Sequence, residues 1–232
     1  MSYEYVTHQE ECEETGLILK IIQDPDPIDP RKDYCEASTL CCDHGRYDLG
    51  DEDGHEKARD AIRASRDYRE SWEDDYSEDS LDFSHGPDLY KAILRCSDIV
   101  ALPLFLYDHS GITMRCEPFS CRWDSGQVGF AFMTKETILR EYGGKLLTQV
   151  KREKAQALIE AEVATYDSYL RGDCWGFAIE DQNGETLDSC WGFLGDSDYC
   201  EQEAQTIYKG MIQQQKADNA LLDKVGIEAV PA

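Results

Sequence analysis

The chain has 232 residues, of which 48 are Asp or Glu and 23 are Lys or Arg, so its formal net charge at pH 7 is −25. This excess repels nucleic acid and anionic membranes and attracts basic surfaces, so we expect neither direct nucleic-acid binding nor membrane binding. A hydrophobic content of 41% with 13 Tyr, 7 Phe and 4 Trp argues against wholesale disorder.

The negative charge is unevenly distributed along the chain. Residues 1–90 contain 26 acids and 9 bases, and residues 155–232 contain 15 acids and 4 bases. Residues 91–154 contain 7 acids and 10 bases. Two acidic flanks therefore enclose a slightly basic centre.

The N-terminal residues and the cysteines indicate a reducing, cytoplasmic compartment. The first residues, from Met1 to Tyr5, are polar and acidic, unlike a secretory signal. The chain has 10 cysteines, and without such a signal we expect free thiols in a reducing cytoplasm. No apolar run reaches the roughly 18–20 residues that a membrane span needs.

The first half of the chain mixes one apolar run with acidic segments. Residues 16–22 predict a buried strand, which the prolines that follow end. Residues 56–72 predict a charged helix, and we expect its flanks at 48–53 and 73–82 to be solvated acidic loops. Residues 88–100 predict a short helix that leads into a strand at 99–107.

The second half shows clearer periodicity. Residues 127–133 predict a strand, and Thr134 is expected to cap a helix that ends at Gly143-Gly144. The region 148–171 predicts a longer helix with one apolar stripe, formed by Ile159, Val163, Tyr166 and Leu170. Asn183-Gly184 then predicts a hairpin between strands Cys174–Glu180 and Thr186–Leu194, and a last helix is expected to begin near Asp198.

This order of elements does not alternate as βαβ units, so it favours an α+β fold. We expect a small antiparallel sheet, with a C-terminal β-hairpin packed against two or three amphipathic helices and an acidic helical and loop region before it. The expected organisation is an acidic region at 1–98, a core domain at 99–216 and a flexible tail at 217–232.

A Cys-Trp-Gly-Phe sequence occurs twice, at 174–177 and 190–193. Residues two apart share a face of a strand, so Trp175 and Phe177 are expected to pack together against the 148–171 helix. The alternative is an exposed aromatic platform for nucleic-acid bases, which the surrounding negative charge opposes.

The acidic segments are the candidate functional site. One interpretation is that these acids form an ordinary solvated surface. The net charge of −25, however, far exceeds the magnitude of about 2–8 that solubility requires. Carboxylates can occupy the same Arg- and Lys-lined grooves as phosphates. The residues expected to bind a basic partner are Asp48, Asp51, Glu52, Asp53, Asp74, Asp75, Glu78, Asp79, Asp82, Asp196, Asp198, Glu201 and Glu203.

Several cysteines and acids are of the residue types that bind metal ions. Cys35, Cys41, Cys42 and His44 lie within ten residues, with Cys116 and Cys121 further on, but their spacing differs from that of zinc sites. Free thiols are the favoured interpretation, and zinc is the alternative. The acidic loops also lack the ligand positions of a calcium-binding EF-hand loop, so we expect no cofactor.

No nucleotide-binding, phosphate-binding, serine-hydrolase or zinc-protease motif occurs in the sequence. Two alternatives to partner binding by the acids remain open. One is a metal-dependent hydrolase or nucleic-acid-modifying enzyme. The other is an adaptor that self-associates through the helix at 200–215, and a homodimer is kept open.

Three segments carry a resemblance to a known group of proteins: Asp124–Phe130 (DSGQVGF), Thr165–Asp173 (TYDSYLRGD) and Asp188–Phe193 (DSCWGF). Together they resemble a family of acidic proteins carried by bacteriophages and mobile elements, over roughly residues 99–200. The resemblance implies a mobile-element origin and a bacterial host cytoplasm, and it supplies no catalytic residues.

Charge and this resemblance together predict a phage-encoded acidic inhibitor. It would bind the basic nucleic-acid groove of a host defence complex, of the CRISPR or restriction type, and block DNA or RNA by mimicry. Such binding would weaken steeply with salt.

Overall fold

The computed structural model describes residues 5–33, 36–71 and 86–225 and shows the α+β fold that the sequence predicts. The strands form two separate four-stranded antiparallel sheets. The elements in chain order are β1 (Val6–Glu11), β2 (Ile18–Gln23), α1 (Pro30–Asp33), β3 (Thr39–Cys42), α2 (Gly54–Ala64), α3 (Arg66–Ser71), α4 (Gly86–Ile93), β4 (Ile99–Asp108), β5 (Ile112–Arg115), β6 (Ser125–Thr134), α5 (Lys135–Tyr142), α6 (Gln149–Arg171), β7 (Cys174–Glu180), β8 (Thr186–Leu194) and α7 (Ser197–Val225).

The chain divides into two compact units. Residues 1–28 and 172–232 form one, here called the terminal unit, and residues 29–171 form the central unit. The boundary between the units therefore does not fall at residue 98, where the acidic N-terminal region was expected to end. The reason is that β2, near the start of the chain, pairs with β7, near its end, and this pairing places both chain ends in one sheet.

The terminal unit is a sheet in the order β1-β2-β7-β8 with α7 on one face. Leu19, Ile21 and Phe177 pack there against Ala204 and Tyr208 of α7. The prediction that Trp175 and Phe177 pack against the 148–171 helix is wrong, because α7 directly follows the hairpin and covers this face instead.

The hairpin of β7 and β8 has the bounds that the sequence predicts. Gly184 has a φ of 81°, a conformation that glycine adopts without strain. The Asp181 carboxylate accepts hydrogen bonds from the backbone N–H groups of Asn183 at 2.9 Å and Glu185 at 2.8 Å. These bonds fix the turn that Asn183-Gly184 indicates.

The central unit is a sheet in the order β3-β6-β4-β5, buried on both faces. Alternate residues of β6 face opposite sides. Met133 packs on the side of Ile159 and Val163 from α6, whereas Phe130 packs with Ile62 of α2. The predicted 148–171 helix and its apolar stripe are confirmed.

Two sequence expectations differ in extent from the structure, and a third, the cap of α5, is confirmed. The helix predicted at 56–72 is broken at Ser65, whose ψ of 142° is extended and whose hydroxyl donates to Asp98 at 2.6 Å. Thr134 caps α5 as predicted, accepting from the N–H of Thr137 at 3.3 Å. The flexible tail expected at 217–232 is wrong for residues 217–225, which continue α7, and residues 226–232 lie outside the described residues.

Candidate functional surface

The acidic segment at 48–53 lies between β3 and α2. Asp48, Glu52 and Asp53 are exposed there, as expected for a solvated acidic loop. Asp53 forms an ion pair with Lys57 at 2.8 Å. Asp48 and Glu52 form no ion pair with another described residue, so their charges face solvent uncompensated.

Asp51, in the same segment, is not on this surface. Its side chain is 9% exposed, and its Oδ1 accepts a hydrogen bond of 2.8 Å from Nε of Arg31, which is 2% exposed. The expectation that Asp51 binds a partner is therefore wrong, because its carboxylate is buried against Arg31. A buried guanidinium needs a buried carboxylate beside it, and Asp51 supplies that charge.

Arg31 and Asp51 belong to a larger buried cluster that includes Glu162 of α6. Glu162 is 8% exposed and lies 3.7 Å from Nη1 of Arg31. Its carboxylate accepts the N–H of Ala37 at 2.8 Å, the N–H of Ser38 at 2.9 Å and the Ser38 hydroxyl. Nη2 of Arg31 in turn donates to the carbonyl of Ser38 at 2.7 Å. The cluster thus joins α1 and residues 36–38 to α6.

A second carboxyl group shares this environment. The pKa of Glu36 is raised to about 7, first by burial and then by its hydrogen bond with Glu162 and the negative charge there. The raised pKa favours the protonated form of Glu36 beside the Glu162 carboxylate. The Asp51 and Glu162 carboxylates are therefore buried beside Arg31 within the central unit, and Glu36 can take up a proton beside them.

Sequence reasoning missed this cluster because little distinguishes these residues among 48 acids. One signal was present. Glu162 sits within the apolar stripe of α6, between Ile159 and Tyr166, and is itself buried. A carboxylate at such a position predicts a buried basic partner.

Five of the expected binding residues lie outside the described residues: Asp74, Asp75, Glu78, Asp79 and Asp82. By sequence, residues 72–85 contain six acids and neither Lys nor Arg.

The remaining expected carboxylates lie at the start of α7. Asp196, Asp198 and Glu203 are exposed, and Glu201 is partly buried. One turn beyond Glu201, Nε2 of Gln205 donates to Oε2 of Glu10 at 2.5 Å. Positions 198, 201 and 205 lie on one side of α7. Because Gln205 binds Glu10 of β1, the Glu10 carboxylate extends the row that Asp198 and Glu201 form on this side.

Further exposed acids, beyond those expected from the sequence, lie in β1 and in the turn after it. Glu10, Glu11, Glu13 and Glu14 are exposed. Glu14 forms an ion pair with Lys216 of α7. The sequence signal for these acids is the run of four Glu residues within positions 10–14, which adds to the total negative charge.

The two units differ in charge. The terminal unit has 19 acids and 4 bases, a net charge of −15, and the central unit has 29 acids and 19 bases, a net charge of −10. The acidic excess is therefore concentrated in the smaller unit. The 48–53 segment and the 196–203 segment belong to different units.

The cysteines and histidine considered as zinc ligands have other contacts. Cys35 lies outside the described residues. The Cys41 thiol donates to the carbonyl of Gly54 at 2.8 Å, and burial raises its pKa and raises the pKa of Cys42 to about 12. Nδ1 of His44 accepts the N–H groups of Arg46 and Tyr47, each at 3.3 Å.

The raised pKa values favour the protonated forms of the Cys41 and Cys42 thiols, whereas metal ligation and nucleophilic attack require thiolates. The other two cysteines considered, Cys116 and Cys121, are partly buried, and burial raises the pKa of Cys116 to about 11. Over residues 5–33, 36–71 and 86–225, no three His, Cys, Asp or Glu side chains are grouped to hold a metal ion.

None of the described helices is both long enough and apolar enough to cross a membrane. A comparison of the chain with protein families, with curated proteins and with solved structures finds no match.

Proposed function

We propose that the protein is an acidic inhibitor that binds the basic groove of a nucleic-acid-binding host complex and excludes DNA or RNA by mimicry. The observation that carries this proposal is the net charge of −15 on the terminal unit, which has only 4 Lys and Arg residues. Its exposed carboxylates can bind the Lys and Arg side chains of a basic groove in the way that phosphates do. In this proposal the host complex is of the CRISPR or restriction type, the inhibitor is phage-encoded, and it acts in the bacterial host cytoplasm.

The terminal unit is the better candidate for the contact surface. On the central unit, Asp48 and Glu52 are unpaired among the described residues, but several other exposed acids are neutralised locally, in the pairs Asp53–Lys57, Asp60–Arg63 and Asp88–Lys91. At the start of α7, Asp198, Glu201 and Glu203 form no ion pair with another described residue. Unpaired carboxylates keep their field for an incoming cationic surface.

The acids at the start of α7, together with Glu10 of β1, form a short row of carboxylates. A helix rises about 1.5 Å per residue, so the row from Asp198 to Gln205 and its partner Glu10 extends about 10 Å. Duplex DNA presents one charge per roughly 1.7 Å of axis, so this row is sparser than DNA. The proposal therefore requires several carboxylates to act together, and single substitutions are expected to be tolerated.

The test compares two charge-reversed variants with the same change in net charge. The first reverses terminal-unit acids to Lys: Glu10, Asp198, Glu201 and Glu203. The matched control reverses exposed acids of the central unit to Lys: Asp48, Glu52, Glu56 and Asp60. Each protein is used to capture partners from nuclease-treated bacterial lysate at low salt, and captured proteins are challenged with high salt and with duplex DNA.

We expect the wild type and the central-unit variant to capture a nucleic-acid-binding complex that salt and DNA release. The terminal-unit variant should capture none. The captured complex should also lose DNA or RNA binding in a gel-shift assay when the wild type is added. Equal capture by all three proteins, or no inhibition in the gel shift, would contradict the proposal.

A further inference from the structure

One edge of the terminal-unit sheet is open. The strand order β1-β2-β7-β8 places β8 at an end of the sheet, and residues 186–191 are all exposed. An edge strand presents N–H and C=O groups that can pair with another strand.

β8 lacks the features that usually protect such an edge. Its nine residues include no proline and one charged side chain, Asp188. By contrast, β1 at the opposite edge is shorter and contains Glu10 and Glu11. A nearly uncharged nine-residue strand is unusual in a unit with a net charge of −15, and edge charges are a common means of preventing strand addition.

The backbone of β8 is oriented for pairing at Ser189. Its N–H donates to the side chain of Asp188 at 2.8 Å, so it is not part of the ladder with β7. In an antiparallel ladder, outward N–H groups recur at every second residue, which assigns Trp191 to the same outward set. The bond to Asp188 is local and can be exchanged for a bond to another strand.

Two bulges limit the register. Pairing with β7 is irregular between Trp175 and Gly176 and again between Ile179 and Glu180, so the regular stretch of β8 runs from Asp188 to Trp191. Leu187 lies at the second bulge and is exposed, so a strand that pairs across residues 187–191 has Ser189 at its centre.

We infer that the protein forms a homodimer by antiparallel pairing of β8 with β8 of a second copy, with Ser189 at the two-fold axis. This pairing is self-complementary. It sets Leu187, 46% exposed, opposite Trp191 of the second copy, 43% exposed. It also sets Asp188 opposite Cys190 of the second copy, so the two aspartates do not face each other.

Trp191 is held in place before pairing. Its ring lies over Gly176 of β7, where an added Cβ would approach Cε3 of the indole to 2.2 Å. The close approach restricts the ring, so less side-chain entropy is lost on dimerisation. The result would be one eight-stranded sheet across two copies.

Charge gives the dimer a diagnostic salt dependence. Each copy has a net charge of −25, so the copies repel one another, and screening by salt should strengthen the dimer. Binding to a basic groove weakens with salt. The dimer and the proposed inhibitory function therefore respond to salt in opposite directions and can fail independently.

The test measures molar mass by sedimentation equilibrium over a series of salt and protein concentrations. We expect the wild type to shift from monomer towards twice the chain mass as either concentration rises. Ser189→Lys places two cations at the two-fold axis and should leave a monomer. The matched control Gln9→Lys adds the same charge to the opposite edge and should dimerise at least as readily as the wild type.

Cross-linking provides a second readout that does not depend on affinity. In a Cys190→Ser background, Ser189→Cys should give a disulfide-linked dimer on mild oxidation, whereas Gln9→Cys should not. A wild type that stays monomeric at all concentrations would overturn the inference. So would a Ser189→Lys variant that dimerises as the wild type does.

Discussion

Arg31 is the residue whose loss we expect to cost most. Replacing it with Met would leave Asp51 and Glu162 buried without a countercharge, and breaking such a pair costs about 3–5 kcal/mol. Arg63→Met is the matched control, because Arg63 pairs with Asp60 at 3.2 Å on the surface and should contribute less than about 1 kcal/mol. Urea unfolding measures both, and similar losses would show that the Arg31 cluster is not desolvated as described.

Glu36 predicts a pH dependence of stability. Its pKa is raised from 4.5 to about 7 in the folded state, so folding favours the protonated form. The stabilisation is fully present below pH 4.5 and is lost as the pH rises through 7, where the ionised carboxylate is repelled by Glu162.

Glu36→Gln stays neutral, so its free energy of unfolding should fall less than that of the wild type between pH 4.5 and 7.5. Urea titrations across this range provide the measurement. Glu56→Gln, which removes a carboxylate at an exposed site on α2, is the control. A Glu36→Gln profile parallel to that of the wild type would refute the shift.

At the scale of elements, β6 and β3 approach each other too closely for a side chain at Gly129. A Cβ there would lie 1.9 Å from the carbonyl oxygen of Cys41, which is backbone and cannot move aside cheaply. Gly129→Ala should destabilise the protein by about 1–3 kcal/mol or more.

Gly126 supplies the control for this prediction in the same strand. A Cβ at Gly126 meets nothing within 4 Å, so Gly126→Ala should be neutral or slightly stabilising. Thermal or urea unfolding of the two variants checks this difference. Equal stability of both variants would mean that the β3–β6 contact is looser than described.

The individual elements also show where local sequence patterns are sufficient to predict the secondary structure. The hairpin β7–β8, the cap of α5 and the stripe of α6 were predicted because each depends on residues close in sequence: Asn183-Gly184, Thr134, and Ile159 with Val163. β1, β3 and β5 were not predicted. They are 4 to 6 residues long, and β1 is exposed throughout, so their pairing partners decide their conformation.

At the scale of the whole molecule, self-repulsion should make folding depend on salt. A net charge of −25 destabilises the compact state, and salt screens this repulsion. The urea midpoint should rise with NaCl. The measurement uses the Ser189→Lys variant, so that dimerisation does not contribute to the urea midpoint. A urea midpoint that does not change with NaCl would show that the charges are too far apart to interact.

What the sequence by itself determined is what depends on composition and on neighbours along the chain. These features are the net charge, the α+β class, the helices and hairpin of the second half, and the exposure of Asp48, Glu52, Asp53, Asp196 and Asp198. Charge adds along a chain, and helical and hairpin patterns repeat within a few residues, so both can be read without knowing the fold.

Only the tertiary structure decided which acids are interior. Arg31, Asp51 and Glu162 are separated by up to 131 positions in the sequence and meet only when α6 packs beside α1 and the loop before α2. In the same way, the pairing of β2 with β7 decided the composition of the terminal unit and left β8 as its open edge. Long-range pairing depends on the packing of the whole chain, and local patterns do not encode it.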